Sequence, residues 1–152
     1  ELRKVIEYAG AGGTITKESI DKLCIKQIQA IIFDLTDYLG ARNVGKALEI
    51  LKKLEYNKEP VQKILITLYN HFKKLYIVKI SNEYKTNLAE SMNLKPNQMF
   101  LTRKYSEQAR YFSKEELRKI MDELINLDAG YKQGLIDLDI GLNAILCRYC
   151  SK

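Results

Sequence analysis

The stretch EPVQKILITLYNHFKKLYIVKI, Glu59 to Ile80, reads as one long helix, and its faces dictate what the rest of the chain must supply. At 100° per residue, Val61, Ile64, Leu65, Leu68, Tyr69, Phe72, Leu75 and Tyr76 fill one broad apolar arc. Ile66 and Ile77 align on the flank beyond that arc, with Lys73 and Ile80 nearby. Only a narrow wedge holding Lys63, Asn70 and Lys74 is polar. A helix so nearly apolar all round is covered on more than one side. Either it is the central member of a bundle, or its second stripe meets another protein. The aromatic residues fall mostly on the apolar arc, which suits packing better than a stacking platform for bases. His71 falls at the polar edge, where a solvated or hydrogen-bonded histidine is expected.

Working outward, helical punctuation recurs and strand alternation never persists. Upstream, IQAIIFDLTDYLG repeats apolar residues at Ile28, Ile31, Ile32, Leu35 and Leu39 and stops at Gly40. Asn43 is placed to cap a helix whose inner face is Val44, Ala47, Leu48, Leu51 and Leu54. YNKEP breaks the chain, and Pro60 suits the first turn of the long helix. Near the start, Thr16 reads as an N-cap, with Ile15 and Ile20 as a hydrophobic staple. Gly10, Gly12 and Gly13 before it form a tight joint. They lack the GK[ST] of a phosphate loop, so GAGG is a turn and not a nucleotide site.

Downstream, NEYKTNLAESMNLKPNQMFLTRKY gives a short helix, a turn at Asn93 to Pro96, and a second helix. Leu88, Ala89, Met92, Leu94 and Met99 have the spacing of two crossing helices, and Asn93 is placed for a left-handed closing conformation. FSKEEL is the clearest helix start: Ser113 and Glu116 make a capping box, with Phe112 and Leu117 as its staple. The inner face follows as Leu117, Ile120, Met121, Leu124 and Tyr131, ending near Gly134. A last helix from about Asp137 buries Leu138, Leu142, Ile145 and Tyr149. The expected fold class is all-α, a bundle of about eight helices joined by short loops.

Composition sets the outer limits. The 152 residues suffice for one domain with a real core, at 46% apolar and 29% charged residues. No run approaches a membrane span and no signal peptide opens the chain, so a cytoplasmic protein with no membrane partner is expected. ELRKVIEYAG has no initiator Met and reads as the end of an amphipathic helix, as in a piece of a longer protein. The net charge of +6 favours a polyanion only slightly, because the basic residues are scattered.

Reactive constellations are few. Cys24, Cys147, Cys150 and the single histidine, His71, are the Cys and His ligands a zinc site could draw on, and they lie in three distant segments without paired-ligand spacing. CRYC ends a helical pattern, whereas a redox CxxC opens one, so reduced, partly buried thiols are expected. Glu115-Glu116 and Asp137-Asp139 are carboxylate pairs, but each sits at a helix start, where negative charge opposes the dipole. With no phosphate loop, nucleophile elbow or HExxH, the expectation is no catalytic residues, no metal and no cofactor.

Several segments, in this order, resemble the C-terminal part of the bacterial DNA polymerase III delta subunit family. They are YAG…GTITKESIDKL, IFDLTDYLGARNVGKALEILKKL, EPVQKILITLYNHFKKL, LAESMNLKPNQMFLTRKYSEQARYFSKEELRKIMDELINLDAGYKQG and the final apolar helix. IFDLTDYLG, the Glu59-Pro60 pair and QARYFS…EL are the most telling. Asn93 departs from a frequent Gly, and His71 from a frequent Arg or Gln. The resemblance implies that residues 1–25 are the tail of an AAA+-like lid and residues 26–152 a helical collar domain. It implies a non-catalytic subunit of a DNA polymerase holoenzyme, active in replication within the clamp loader. The implied partners are the delta-prime and gamma/tau subunits through the collar. The sliding clamp would be met only through an N-terminal module absent from these residues, and DNA only indirectly. In that setting Ile66, Tyr69, Lys73 and Ile77 become a candidate subunit interface, against the alternative that they pack inside the same bundle.

A rival is a DNA-binding helix-turn-helix around LAESMNLKPNQMFLTRKY, favoured by Arg103, Lys104 and Arg110. Its second helix opens with Met99, Phe100 and Leu101, more suited to packing than to base edges in a major groove.

Overall fold

The computed structural model describes residues 31–57 and 59–150, together with positions 6, 7, 10, 13, 14 and 16. In chain order its elements are α1 (31–40), α2 (Val44–Tyr56), α3 (Val61–Tyr84), α4 (Leu88–Ser91), a 3-10 turn (Pro96–Gln98), α5 (Phe100–Ala109), α6 (Lys114–Lys132) and α7 (Leu138–Cys150). The described residues contain no strand, and the fold is all-α as the periodicity requires. Near the start, Gly10 takes φ +71°, its N–H donates to Ile6 O (3.1 Å), and Gly13 N–H donates to Gly10 O (3.1 Å). This is the glycine turn expected there. Gly12, Ile15, Ile20 and the helix that Thr16 would cap lie outside the described residues, as do Cys24 and Ile28.

α3 is the central member. It packs against α4, α5, α6 and α7, which explains why so little of it is polar. Ile64, Leu65, Leu68, Phe72, Leu75 and Val78 are buried along it. The second covered side is not the one the apolar pattern singled out. His71, Val78 and Ser81 go inward, while Ile66 stays 59% exposed. The core continues through Ile32, Leu35 and Leu39 of α1, Ala47, Leu51 and Leu54 of α2, Leu117, Ile120, Leu124 and Leu127 of α6, and Leu138, Leu142 and Leu146 of α7. Tyr131, expected on the inner face of α6, is exposed, and its place is taken by Leu127 one turn earlier.

The helix ends follow local chemistry. Asn43 Oδ1 accepts from Lys46 N–H (3.3 Å) and caps α2. Ser113 Oγ accepts from Glu116 N–H (3.0 Å) while Glu116 Oε2 accepts from Ser113 N–H (2.8 Å), the reciprocal capping box of α6. Asn93 takes φ +52°, with its N–H donating to Glu90 O (2.9 Å) and Leu94 N–H to Ala89 O (3.0 Å). Gly134 (φ +72°) closes α6 in the same way. The end of α1 holds a surprise. Gly40 is its last helical residue, but the left-handed residue that closes it is Arg42, at φ +56°. Arg42 N–H donates to Leu39 O (3.0 Å) and Asn43 N–H to Tyr38 O (2.8 Å). Gly40 serves packing instead, because a Cβ there would strike the Gln108 side chain.

Candidate interaction face

α3 and α6 run antiparallel. At one end Gln62 and Lys132 line the same groove, and at the other Lys114 Nζ donates to Glu83 Oε2 (2.6 Å). Their inner faces meet through Leu65, Leu68, Leu124 and Ile120, leaving an open groove of about 300 Å³ along one flank. Leu65, Ile66, Tyr69, Leu124 and Ile125 line it, and the Lys132–Asp128 ion pair (2.6 Å) stands beside them. Ile66 is 59% and Ile125 51% exposed, so two aliphatic side chains from facing helices are held open to solvent across one depression. Leu135, Ile136 and Ile140, after the end of α6, are also exposed, and Ile136 lines a separate depression with Leu127 and Gly141.

Of the four residues singled out on the long helix, Ile66 and Tyr69 line this groove and Lys73 is exposed. Ile77 is half-buried and packed against the core. Tyr69, although it lines the groove, is likewise half-buried and packed against the core, and only Ile66 and Lys73 of the four are exposed. Ile125 and Asp128 complete the groove and could not be placed from α3 alone; the signal available was an isoleucine one position beyond the buried Leu124.

Two groups of polar side chains lie elsewhere in the bundle. His71 is only 5% exposed, correcting the expectation of a polar-edge residue. α5 covers that side of α3, and the imidazole sits 5.8 Å from the Tyr105 ring and 5.7 Å from the Phe72 ring. Among the described residues its Nε2 has no hydrogen-bond partner. Burial, reinforced by the positive charges of Lys104 and Lys74, lowers its pKa from 6.5 to about 3. Beside it, Lys104 Nζ donates to Asp37 Oδ2 (2.7 Å) and Gln108 Nε2 to Asp37 Oδ1 (3.3 Å), tying α5 to α1.

The second network centres on Arg42, whose side chain is 8% exposed. Its Nε donates to Tyr111 O (2.6 Å), one terminal nitrogen to Tyr149 O (3.1 Å), and the other to both Glu116 oxygens (3.0 Å each). The guanidinium carbon lies 4.4 Å from the centre of the Phe112 ring. Nothing in the sequence announced this, because an arginine after YLGA looks like ordinary surface charge.

The remaining candidates stay apart. Cys147 is exposed and Cys150 buried, its thiol pushed up to about 12 chiefly by desolvation. Among the described residues no group of three or more His, Cys, Asp or Glu side chains is placed to hold a metal ion, and no helix is long and apolar enough to cross a membrane. Glu115 and Glu116 open α6 as expected. Asp137 Oδ1 accepts from the N–H groups of Asp139 (3.0 Å) and Ile140 (3.1 Å) at the start of α7. The geometry gives the helix-turn-helix alternative no support. Its first helix, α4, is a single turn of four residues; Met99 and Phe100, expected to pack, are instead exposed at the start of α5, and Leu101 is half-buried. Two of its basic residues are engaged, Arg103 with Glu107 (3.0 Å) and Lys104 with Asp37.

The arrangement defines a helical packing module built around one buried spine, with an apolar groove open along the α3–α6 flank. The model of the family described as DNA polymerase III delta subunit, C-terminal domain, matches residues 29–149, and the chain belongs to that family. It is 28% identical over 150 residues to the DNA polymerase III subunit delta of Bacillus subtilis (strain 168), a match covering 96% of this chain and 42% of that protein. It is also 28% identical over 134 residues to a probable DNA polymerase III subunit delta of Aquifex aeolicus (strain VF5), covering 85% of this chain and 37% of the relative. Among solved structures it resembles the Bacillus subtilis DNA clamp loader delta protein, with a TM-score of 0.72 and 25% identity over 99% of this chain and 44% of that one. The chain spans less than half the length of the curated relatives it matches.

Proposed function

We propose that this domain is the collar that builds a delta subunit into a clamp loader, with the α3–α6 groove as its contact with a neighbouring subunit. The observation that carries the reading is the pair Ile66 and Ile125, each more than half exposed across one apolar depression. Family membership supports it, since the structural relative is a clamp loader delta protein. Residues 26–152 form the collar on this reading and residues 1–25 the end of a lid. Its neighbours are the delta-prime and gamma/tau subunits, met by Ile66, Tyr69, Lys73 and the partly packed Ile77. The domain does no chemistry itself. It positions the clamp-opening portion of the whole subunit, and it reaches DNA only through the assembly, in the cytoplasm.

The test is co-elution of the chain with the other clamp-loader subunits, using wild type and the Ile66→Ala/Ile125→Ala double variant. Truncating two aliphatic anchors at a contact costs about 1–2 kcal/mol each, so affinity should fall at least roughly tenfold. The thermal transition of the isolated chain should barely move, because both side chains are already exposed. Undiminished co-elution of the double variant would rule out this groove as the contact. Failure of the wild-type chain to enter the assembly would remove the collar reading itself.

A further inference from the structure

Arg42 is the most heavily engaged side chain described, and its backbone is unfavourable for an arginine. A left-handed conformation costs a β-carbon-bearing residue about 1–2 kcal/mol, and glycine would occupy it freely. The structure holds an arginine there at φ +56°, and from that turn the guanidinium reaches three separate segments at once. These are the α5–α6 elbow at Tyr111, the first turn of α6 at Glu116 and the last turn of α7 at Tyr149. Two of its acceptors are carbonyls near helix ends that lack a full set of helical partners. The third is the carboxylate that also completes the α6 capping box. Lysine could not reproduce this, having one point of charge in place of a planar fork.

We propose that Arg42 is a latch that fastens α1 to the bundle, making the helix by which residues 1–30 enter the domain rigid with the helices that follow. Asp37, held by Lys104 and Gln108 one turn earlier, is the second fastening point along α1. Loss of the guanidinium removes four hydrogen bonds and leaves the Tyr111 and Tyr149 carbonyls to water, while Ile32, Leu35 and Leu39 still hold α1 by apolar contact. α1 should then open as a local unit, ahead of global unfolding. On the collar reading, the latch fixes the angle at which a preceding module meets the collar. That consequence rests on the proposed function; the latch does not.

The measurement is native-state amide exchange on this chain, comparing the amides of residues 35–41 with those of the middle of α3. In wild type both sets should exchange through the same global opening. Arg42→Gly keeps the turn and removes the guanidinium, and it should speed exchange at 35–41 at least roughly tenfold relative to α3. Glu116→Gln keeps an acceptor for Ser113 N–H but loses the ion pair, and it should give a smaller change in the same direction. That variant decides the matter if Arg42→Gly fails to fold. Equal acceleration of both sets of amides, or none, would overturn the latch. The ratio is read without any partner subunit, so a negative result is distinct from failure to assemble.

Discussion

Replacing His71 by Gln should flatten the acid limb of the stability curve. In the folded chain the imidazole is held neutral, its pKa lowered from 6.5 to about 3 by burial and by Lys104 and Lys74. The unfolded chain returns it to its ordinary value. Between those limits the unfolded state binds a proton that the folded state refuses, so stability falls as pH falls. The contribution is complete above pH 6.5 and is lost progressively from there down to about pH 3. Each pH unit well inside the window costs about 1.4 kcal/mol for one proton, so moving from pH 6 to pH 4.5 should remove about 2 kcal/mol. Carboxylates contribute slopes of their own at the acid end, so the quantity to read is the difference between wild type and His71→Gln. Urea unfolding followed by far-ultraviolet circular dichroism suits a chain that has no tryptophan. The substitution shifts the overall stability, because a glutamine amide must also be buried against Tyr105 and Phe72, but that offset is independent of pH and leaves the slope readable. Parallel curves for the two proteins between pH 6.5 and 4.5 would refute the reasoning, as would a magnetic-resonance titration placing His71 near 6.5 in the folded chain.

Two further substitutions test the packing account. Asn93→Gly should raise stability by about 0.5–1 kcal/mol in chemical denaturation, because the residue sits at φ +52° with its side chain exposed; a loss would mean that the asparagine side chain supports the turn. Gly141→Ala should destabilise by about 1 kcal/mol despite the better helix former, since the new methyl group would overlap Leu127, a buried side chain of α6. A gain in melting temperature there would show that α6 and α7 separate more easily than their packing implies.

What could be read in advance divides by the range of the interaction. Caps and closing turns depend on residues three to five positions apart, and Asn43, the Ser113–Glu116 box and Asn93 do what their spacing promises. Inner faces depend on one helix period, and those of α2 and α7 were legible for that reason. Two misses are local, the closing of α1 at Arg42 in place of Gly40 and the exposed Tyr131, and the others involve partners far along the chain. His71 looked solvated because its own helix is polar nearby, and it is α5, more than thirty residues on, that covers it. Arg42 finds its acceptors 69, 74 and 107 residues away, and no local pattern encodes them. The groove was half visible for the same reason: the α3 wall could be read from periodicity, but the register that sets Ile125 opposite Ile66 is fixed by tertiary packing.

That division bears on why Ile66 and Ile125 are isoleucines at all. The pattern alone treats Ile66 and Ile77 as equivalents, eleven residues apart on one stripe. The fold treats them differently: Ile77 packs against the core, and replacing it by a charge would disturb the bundle. Ile66 and Ile125 bury less than half their surface, so lysine or glutamate could stand at either position at little cost to folding. A single exposed isoleucine needs no explanation, since much of any protein surface is apolar. Two on facing helices, beside a tyrosine and over one depression of about 300 Å³, are the kind of arrangement from which anchor pockets at interfaces are built. Interior demands on this chain are met by Leu65 and Leu124, buried side chains that line the same groove. The apolar character of Ile66 and Ile125 is therefore not demanded by the bundle, and on the proposed reading it serves contact with a neighbouring subunit.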